Sequence, residues 1–418
     1  MSLLIRNALI VDCEADAPSK GDVLIEGDRI TAIAAEIEAP SNSKTLDAKG
    51  QWLMPGLVDL AANVPQGNGA LREARAAVRS GVTTLCVPPD GLAILDDPTH
   101  VRDLERSCEA DDVARVVTIG GLTVGLAGKG LTDMATLQAA GCRGVGNGRN
   151  WVQDSRVMRC ALRYAADLGL CVFITPRDPW LAADGHAHAG RIATRLGLTG
   201  VPAAAETAAL ARDLALVEDT GVRAHFGPLS SQGAVQLIQR AREAGLPVTA
   251  DVSIMHLLLT EMDVVGFNPA CRVDPPLRTQ EDRAALRNAV ASGLLMIRGD
   301  HCPLPNDAKM APFPAAEPGA STLPTLLSLG IKLVQEELLT APQLAARLAA
   351  QPMAVLGGDA GRIEVGRVAD LVIVDPDAVW RCDPHDAEWT SAGRSTPFAG
   401  WEMPGRVTAT LVGGRRVI

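Results

Sequence analysis

Residues 155–175 read SRVMRCALRYAADLGLCVFIT. Val157, Cys160, Ala161, Tyr164 and Leu168 recur at the spacing of one helix face, which predicts an amphipathic helix over 155–168. Gly169 then stands where a left-handed residue ends such a helix. Residues 170–175 follow as a short apolar run, suited to a strand buried on both faces. Helix, glycine and strand make one unit of an alternating α/β chain.

The unit repeats. Strands are expected at 53–59, 82–87, 114–119, 142–146, 170–175, 222–227, 246–251 and 293–299, with clear helices at 203–218 and 234–244. Gly81 and Gly245 precede their strands as Gly169 does. Eight such units predict a closed (β/α)8 TIM-type barrel. An open doubly wound sheet is the alternative, but no glycine-rich phosphate loop follows the first strand.

Both ends of the chain read differently. Residues 3–11, 22–26 and 29–34 have strand patterns, with Gly27 and Asp28 as a hairpin turn. Residues 369–374, 407–412 and 415–418 do the same around Gly413 and Gly414. Neither end alone offers enough strands to bury a face. Residues 1–52 and 359–418 are therefore expected to join as one small β-sandwich domain beside a barrel of 53–358. Residues 303–321, rich in Pro and Ala, follow the eighth strand and read as a long loop over the barrel mouth. Helical patterns resume at 323–339 and 341–356.

Composition narrows the function. Of 418 residues 47% are hydrophobic but only 3% aromatic, so Ala, Val, Leu and Ile must fill the core. A net charge of -10 argues against a nucleic-acid partner and against an anionic membrane surface. No apolar run approaches the length of a membrane span. The first residues enter a strand pattern directly, without a secretion-signal layout. Nine scattered cysteines with no CxxC read as reduced core thiols of a cytoplasmic protein.

Catalytic groups of such barrels come from the C-terminal ends of the strands. After the first strand the chain reads Pro55-Gly56-Leu57-Val58-Asp59-Leu60-Ala61-Ala62-Asn63. Further on stand Leu196 to Pro202 with Glu206, Val248 to Asp251, and His256 to Thr260. Asp274-Pro275-Pro276-Leu277-Arg278, Asp300-His301-Cys302-Pro303, Gly361 to Gly366 and Ser395 to Gly400 follow in order. This succession resembles the dihydroorotase branch of the amidohydrolase superfamily over nearly the whole chain. The resemblance implies a barrel that interconverts carbamoyl aspartate and dihydroorotate on one or two zinc ions. It also implies which positions would hold the metal.

Those positions have lost their ligands. The two histidines of the family's Asp-x-His-x-His fall on Ala61 and Asn63, and the bridging carboxylate after strand four falls on Asn147 or Gly148. The strand-five histidine falls on Thr175 and the strand-six histidine on Pro228; only the strand-eight aspartate remains, as Asp300. Zinc needs about three nitrogen, sulfur or carboxylate ligands, so no metal, and in particular no zinc, is expected. Substrate positions change too: the family's arginine is Pro65, two asparagines are Asp90 and Asp274, and a histidine is Leu304.

Other candidates read as scaffold. His186 and His188 lie in a loop before Arg191, away from a strand end. His225, three residues before Pro228, is expected to pack on the other face. His256 and His301 match family positions outside the metal shell. Cys86, Cys171 and Cys302 lie near strand ends without site-like spacing and read as core thiols.

The expectation is a catalytically inactive dihydroorotase-like protein. The resemblance implies a structural or regulatory role beside aspartate carbamoyltransferase, the preceding enzyme of pyrimidine biosynthesis, as a hetero-oligomer. An active cyclic-amide hydrolase with an atypical metal site, or a metabolite-binding module, are the alternatives.

Overall fold

The computed structural model describes residues 2–41, 43–65, 67–91 and 93–418; Gln66, next to the expected substrate position Pro65, lies outside the described residues. The first five strands are β1 (Ser2–Ile10), β2 (Ser19–Glu26), β3 (Arg29–Ala34), β4 (Lys44–Asp47) and β5 (Trp52–Pro55). Next come β6 (Leu57–Asp59), β7 (Val82–Val87), β8 (Arg115–Gly121), β9 (Gly144–Gly146) and β10 (Cys171–Ile174). A two-stranded ribbon, β11 (Ala187–His188) with β12 (Gly200–Val201), precedes β13 (Ala224–Phe226), β14 (Val248–Ser253) and β15 (Met296–Arg298). The last three are β16 (Leu371–Arg381), β17 (Glu402–Val412) and β18 (Arg415–Arg416).

Strands β6 to β10 and β13 to β15 form one parallel sheet in the order β15-β14-β13-β10-β9-β8-β7-β6. Its two edges meet at the mouth. Ala62 and His301 form a parallel bridge, the Asn63 N–H donates to the His301 carbonyl at 2.8 Å, and the His301 N–H donates to the Ala61 carbonyl at 3.1 Å. The Asp59 carboxylate adds a staple by accepting the Gly299 N–H at 2.9 Å. Residue 299 must be glycine here, because a Cβ would lie 2.2 Å from Asp59 Oδ2. Barrel and helices follow the expected alternation: helices Ser155–Asp167, Ala204–Thr220 and Gln232–Glu243 fill three intervals. Gly81, Gly169 and Gly245 all have positive φ at the ends of helices.

The expected first barrel strand, 53–59, is two strands. It breaks at Gly56, where a Cβ would meet Thr83 at 2.3 Å. The first half, β5, pairs with β1 and β16, and only β6 belongs to the barrel. The terminal strands form one continuous eight-stranded sheet, β18-β17-β16-β5-β1-β2-β3 with β4 on β1, where a sandwich of two sheets was expected. The sheet curls until its far hairpins touch: the Ala369 N–H donates to Asp28 O, and the Gly414 N–H to Ala369 O. Ile5, Ile25, Ile30, Leu53, Ile373 and Leu411 fill the core it encloses. Both ends of the chain thus supply strands to a single layer.

Residues 303–321 form an irregular loop with short 3-10 turns, as the Pro and Ala content predicts. The expected helix over 341–356 is interrupted by a π turn at Ala346–Ala350.

Candidate functional site

Alternation along β15 points Met296, Arg298 and Asp300 to one side, and Met296 packs in the interior cluster with Val58, Leu60, Cys86, Ile119 and Cys171. Arg298 therefore enters the barrel. Its Nε donates to Asp251 Oδ2 at 2.6 Å, and His225 Nε2 meets the same oxygen at 3.0 Å. His225 Nδ1 lies 2.8 Å from Thr249 Oγ1, and its ring packs on Phe173 at 5.3 Å between centroids. Burial pushes the Asp251 carboxyl up, but Arg298 and His225 outweigh it and hold it below its ordinary range. His225 is a packed histidine, and it packs into the lumen.

Asp300 begins the loop above. It is buried, and its φ of 53° is a left-handed conformation that side chains other than Asn and Asp seldom adopt. Burial raises its pKa, with the neighbouring Arg149 guanidinium opposing. Arg149 Nη2 stands 3.5 Å from Asp300 Oδ1, and the Arg149 backbone N–H donates to Asp90 Oδ2 at 2.8 Å. Arg177 pairs with Asp274 at 3.3 Å. Arginine guanidinium groups thus face two of the carboxylates at the barrel mouth, Asp300 and Asp274. Asp59 is set apart at the seam, where burial lifts its pKa to about 6 against the Gly299 and Ala61 N–H groups.

The other expected ligand positions face the mouth or its loops without forming a donor set. Ala61 lines the lumen cavity, and Asn63 contributes its backbone to the seam. Asn147 is absorbed by its own loops: Oδ1 accepts Thr123 Oγ1 at 2.7 Å, and Nδ2 donates to the carbonyls of Leu126 and Asn150. Gly148 has a φ of 58°, and a Cβ there would lie 2.2 Å from Asp90. Thr175 Oγ1 donates to the Gly227 carbonyl at 3.0 Å, and Pro228 follows a cis peptide. At the substrate positions, Pro65 packs at Gly69 and the Leu304 N–H donates to the Cys302 carbonyl. The family implies zinc, and these residues do not fit it: among the described residues no group of three His, Cys, Asp or Glu is gathered as a metal would need.

The space is divided as well. Cavities of about 40, 20 and 10 Å³ meet at Thr175. Pockets for drug-sized ligands are roughly 300–1,000 Å³.

His301, His256 and His188 hold the scaffold, whereas the buried Nδ1 of His186 meets no partner among the described residues. His301 Nε2 donates to Glu73 at 3.0 Å while Nδ1 accepts the N–H groups of Thr322 and Leu323. His256 Nε2 donates to the Pro275 carbonyl at 3.1 Å. His188, expected in a loop, lies on β11, where its Nδ1 faces Arg278 Nη1 at 3.1 Å. Cys86 and Cys171 belong to the barrel interior, where burial raises both thiols, Cys171 to about 12. Sequence reasoning missed Arg149 and Arg298. Alternation from Asp300 gives Arg298; no pattern gives Arg149, which acts from a loop.

Residues 50–233 match the Dihydro-orotase-like family and residues 182–417 the Amidohydrolase family. A dihydroorotase-like protein of Pseudomonas aeruginosa is 43% identical over 99% of both chains. A dihydroorotase of Anaeromyxobacter dehalogenans is 36% identical over 99% of this chain and 97% of its own. In fold, the chain is similar to an L-hydantoinase (dihydropyrimidinase) from Arthrobacter aurescens, with a TM-score of 0.86 at 22% identity, over 99% of this chain and 95% of that one. Family matches and full-length relatives agree with the barrel and its curled sheet: the chain belongs to the amidohydrolase family, on its dihydroorotase-like branch.

Proposed function

We propose that this chain is a noncatalytic dihydroorotase-like protein that acts as a structural or regulatory partner of aspartate carbamoyltransferase. One observation carries the loss of catalysis. Where the family's metal and substrate would sit, Ala61, Thr175 and Pro228 line cavities of about 40 and 20 Å³, and Arg149 stands against Asp300, the one ligand position that keeps a carboxylate. A guanidinium is a fixed positive charge that cannot activate water as a metal does.

The partner reading is supported by where apolar side chains reach solvent. Trp180 and Leu181 follow β10, Met262, Val265 and Phe267 follow β14, and Met310 follows β15; all six are exposed. Trp180 and Leu181 stand on the short helix Pro179–Ala182 and Met262 on the 3-10 turn Glu261–Val264, and every one of the six is in a connection leaving the C-terminal end of a barrel strand. Exposed apolar groups concentrated on one face mark an interaction surface, and burying them would offset the entropy of association. No helix among the described residues is long and apolar enough to cross a membrane. The nine unbonded cysteines support a reducing compartment, the cytoplasm.

The test is co-expression with the transferase of the same organism. A complex by light scattering, together with no cyclisation of carbamoyl aspartate by this chain, is the expected result. Turnover by the unmodified chain defeats the noncatalytic reading; a transferase that assembles and works equally well alone defeats the partner reading.

A further inference from the structure

The guanidinium of Arg298 lines the cavity beneath Ala61 and Thr175. Arg298 is 6% exposed. Its Nε is engaged by Asp251, yet among the described residues none accepts a hydrogen bond from either terminal nitrogen. Leu60, Ile119 and Phe173 close the sides. The other polar side chains of the lining are already paired: Thr175 Oγ1 with Gly227, and His225 with Thr249 and Asp251.

We propose that this cavity is a binding site for a compact planar oxyanion of the carboxylate or bicarbonate type, held by the two terminal nitrogens of Arg298. The shape of the guanidinium selects that class. With Nε committed to Asp251, the edge between the two terminal nitrogens remains, and two parallel N–H groups match the two oxygens of a carboxylate. Size sets the limit. A water needs roughly 10–15 Å³ of such space, so about 40 Å³ admits three or four non-hydrogen atoms and excludes carbamoyl aspartate. The nearby carboxylates are each engaged through one oxygen: Asp251 Oδ2 by Arg298 and His225, Asp300 Oδ1 by Arg149, and Asp59 Oδ1 by the seam. The site holds whether or not the chain assembles with a transferase.

Carbon-13 relaxation of labelled formate and labelled bicarbonate, each titrated with the purified chain, tests it. Broadening of at least one signal is expected with the unmodified protein. Ala61→Val fills the cavity without touching the Asp251 pairing and should abolish the effect. Arg298→Lys keeps the charge but not the fork and should weaken binding about tenfold or more. Succinate in place of formate, with eight non-hydrogen atoms, should compete poorly. Broadening of neither anion, or equal broadening by all three proteins, overturns the proposal. Thermal unfolding of each variant establishes that it is folded, and Ala61→Val remains decisive should Arg298→Lys not fold.

Discussion

The guanidinium of Arg149 stands 3.5 Å from the carboxylate of Asp300, and its backbone holds Asp90. The family's metal-binding aspartate has an internal cation as its neighbour here. If Asp300 serves only the scaffold, its oxygen charge is dispensable while its left-handed backbone is not. Asp300→Asn should therefore change stability by less than about 1 kcal/mol at neutral pH, since Asn tolerates positive φ. Asp300→Val should cost about 2 kcal/mol or more through backbone strain. Chemical denaturation of both variants checks this; a large loss in Asp300→Asn would mean that the carboxylate itself is needed.

Metal content follows from the same residues. The purified chain should carry well under one zinc after dialysis without chelator, read by elemental analysis. Ala61→His with Asn63→His should restore neither stoichiometric zinc nor turnover, because Thr175 and Pro228 still supply no ligand and Pro65 no guanidinium for the substrate. Tight zinc in the double variant would show that two histidines and Asp300 suffice.

The lumen network should be strongly coupled. Arg298→Met leaves the fully buried Asp251 beside only His225, and breaking such a pair from one side costs about 3–5 kcal/mol. Arg298→Met combined with Asp251→Leu should cost less than the two single changes summed, by about 1 kcal/mol or more. Additive losses in urea unfolding would mean that the pair contributes nothing as a pair.

The sequence made the barrel legible because its helices end on glycines and its strands are apolar runs, signals that are local. The split of 53–59 was not legible, since Gly56 breaks the strand only through its contact with Thr83 from another element. The ligand positions could be found by resemblance, and their replacement by Ala61, Asn63, Thr175 and Pro228 could be read directly. What fills the space could not. Arg149 reaches Asp300 across 151 residues of chain, and only the folded barrel brings them together.

Acid should weaken the fold through His256. Burial lowers its pKa from 6.5 to about 4, with Arg278 adding to the effect. Between those values the unfolded chain binds a proton that the folded chain refuses, so stability falls as pH drops from 6.5 toward 4. The full effect is on the order of 3 kcal/mol. His256→Gln keeps a donor for the Pro275 carbonyl and removes the titration, so its stability should depend less steeply on pH across that window. Equal slopes for the two proteins would assign the acid sensitivity elsewhere.

The partner surface can be tested apart from the fold. Trp180 and Met310 are 77% and 81% exposed, so they contribute little to the stability of the isolated chain. At an interface the same side chains would be buried, and a large aromatic there often dominates the binding energy. Trp180→Asp and Met310→Asp should leave thermal unfolding of the chain unchanged within about 0.5 kcal/mol. Each should weaken co-purification with the transferase, by about tenfold or more where the residue is central, because a charge replaces buried apolar surface. Val379→Asp, on β16 and away from the mouth loops, is the control and should leave the complex intact. If the mouth variants bind like the unmodified chain while Val379→Asp does not, the partner sits on the curled sheet and the exposed apolar loops have another use.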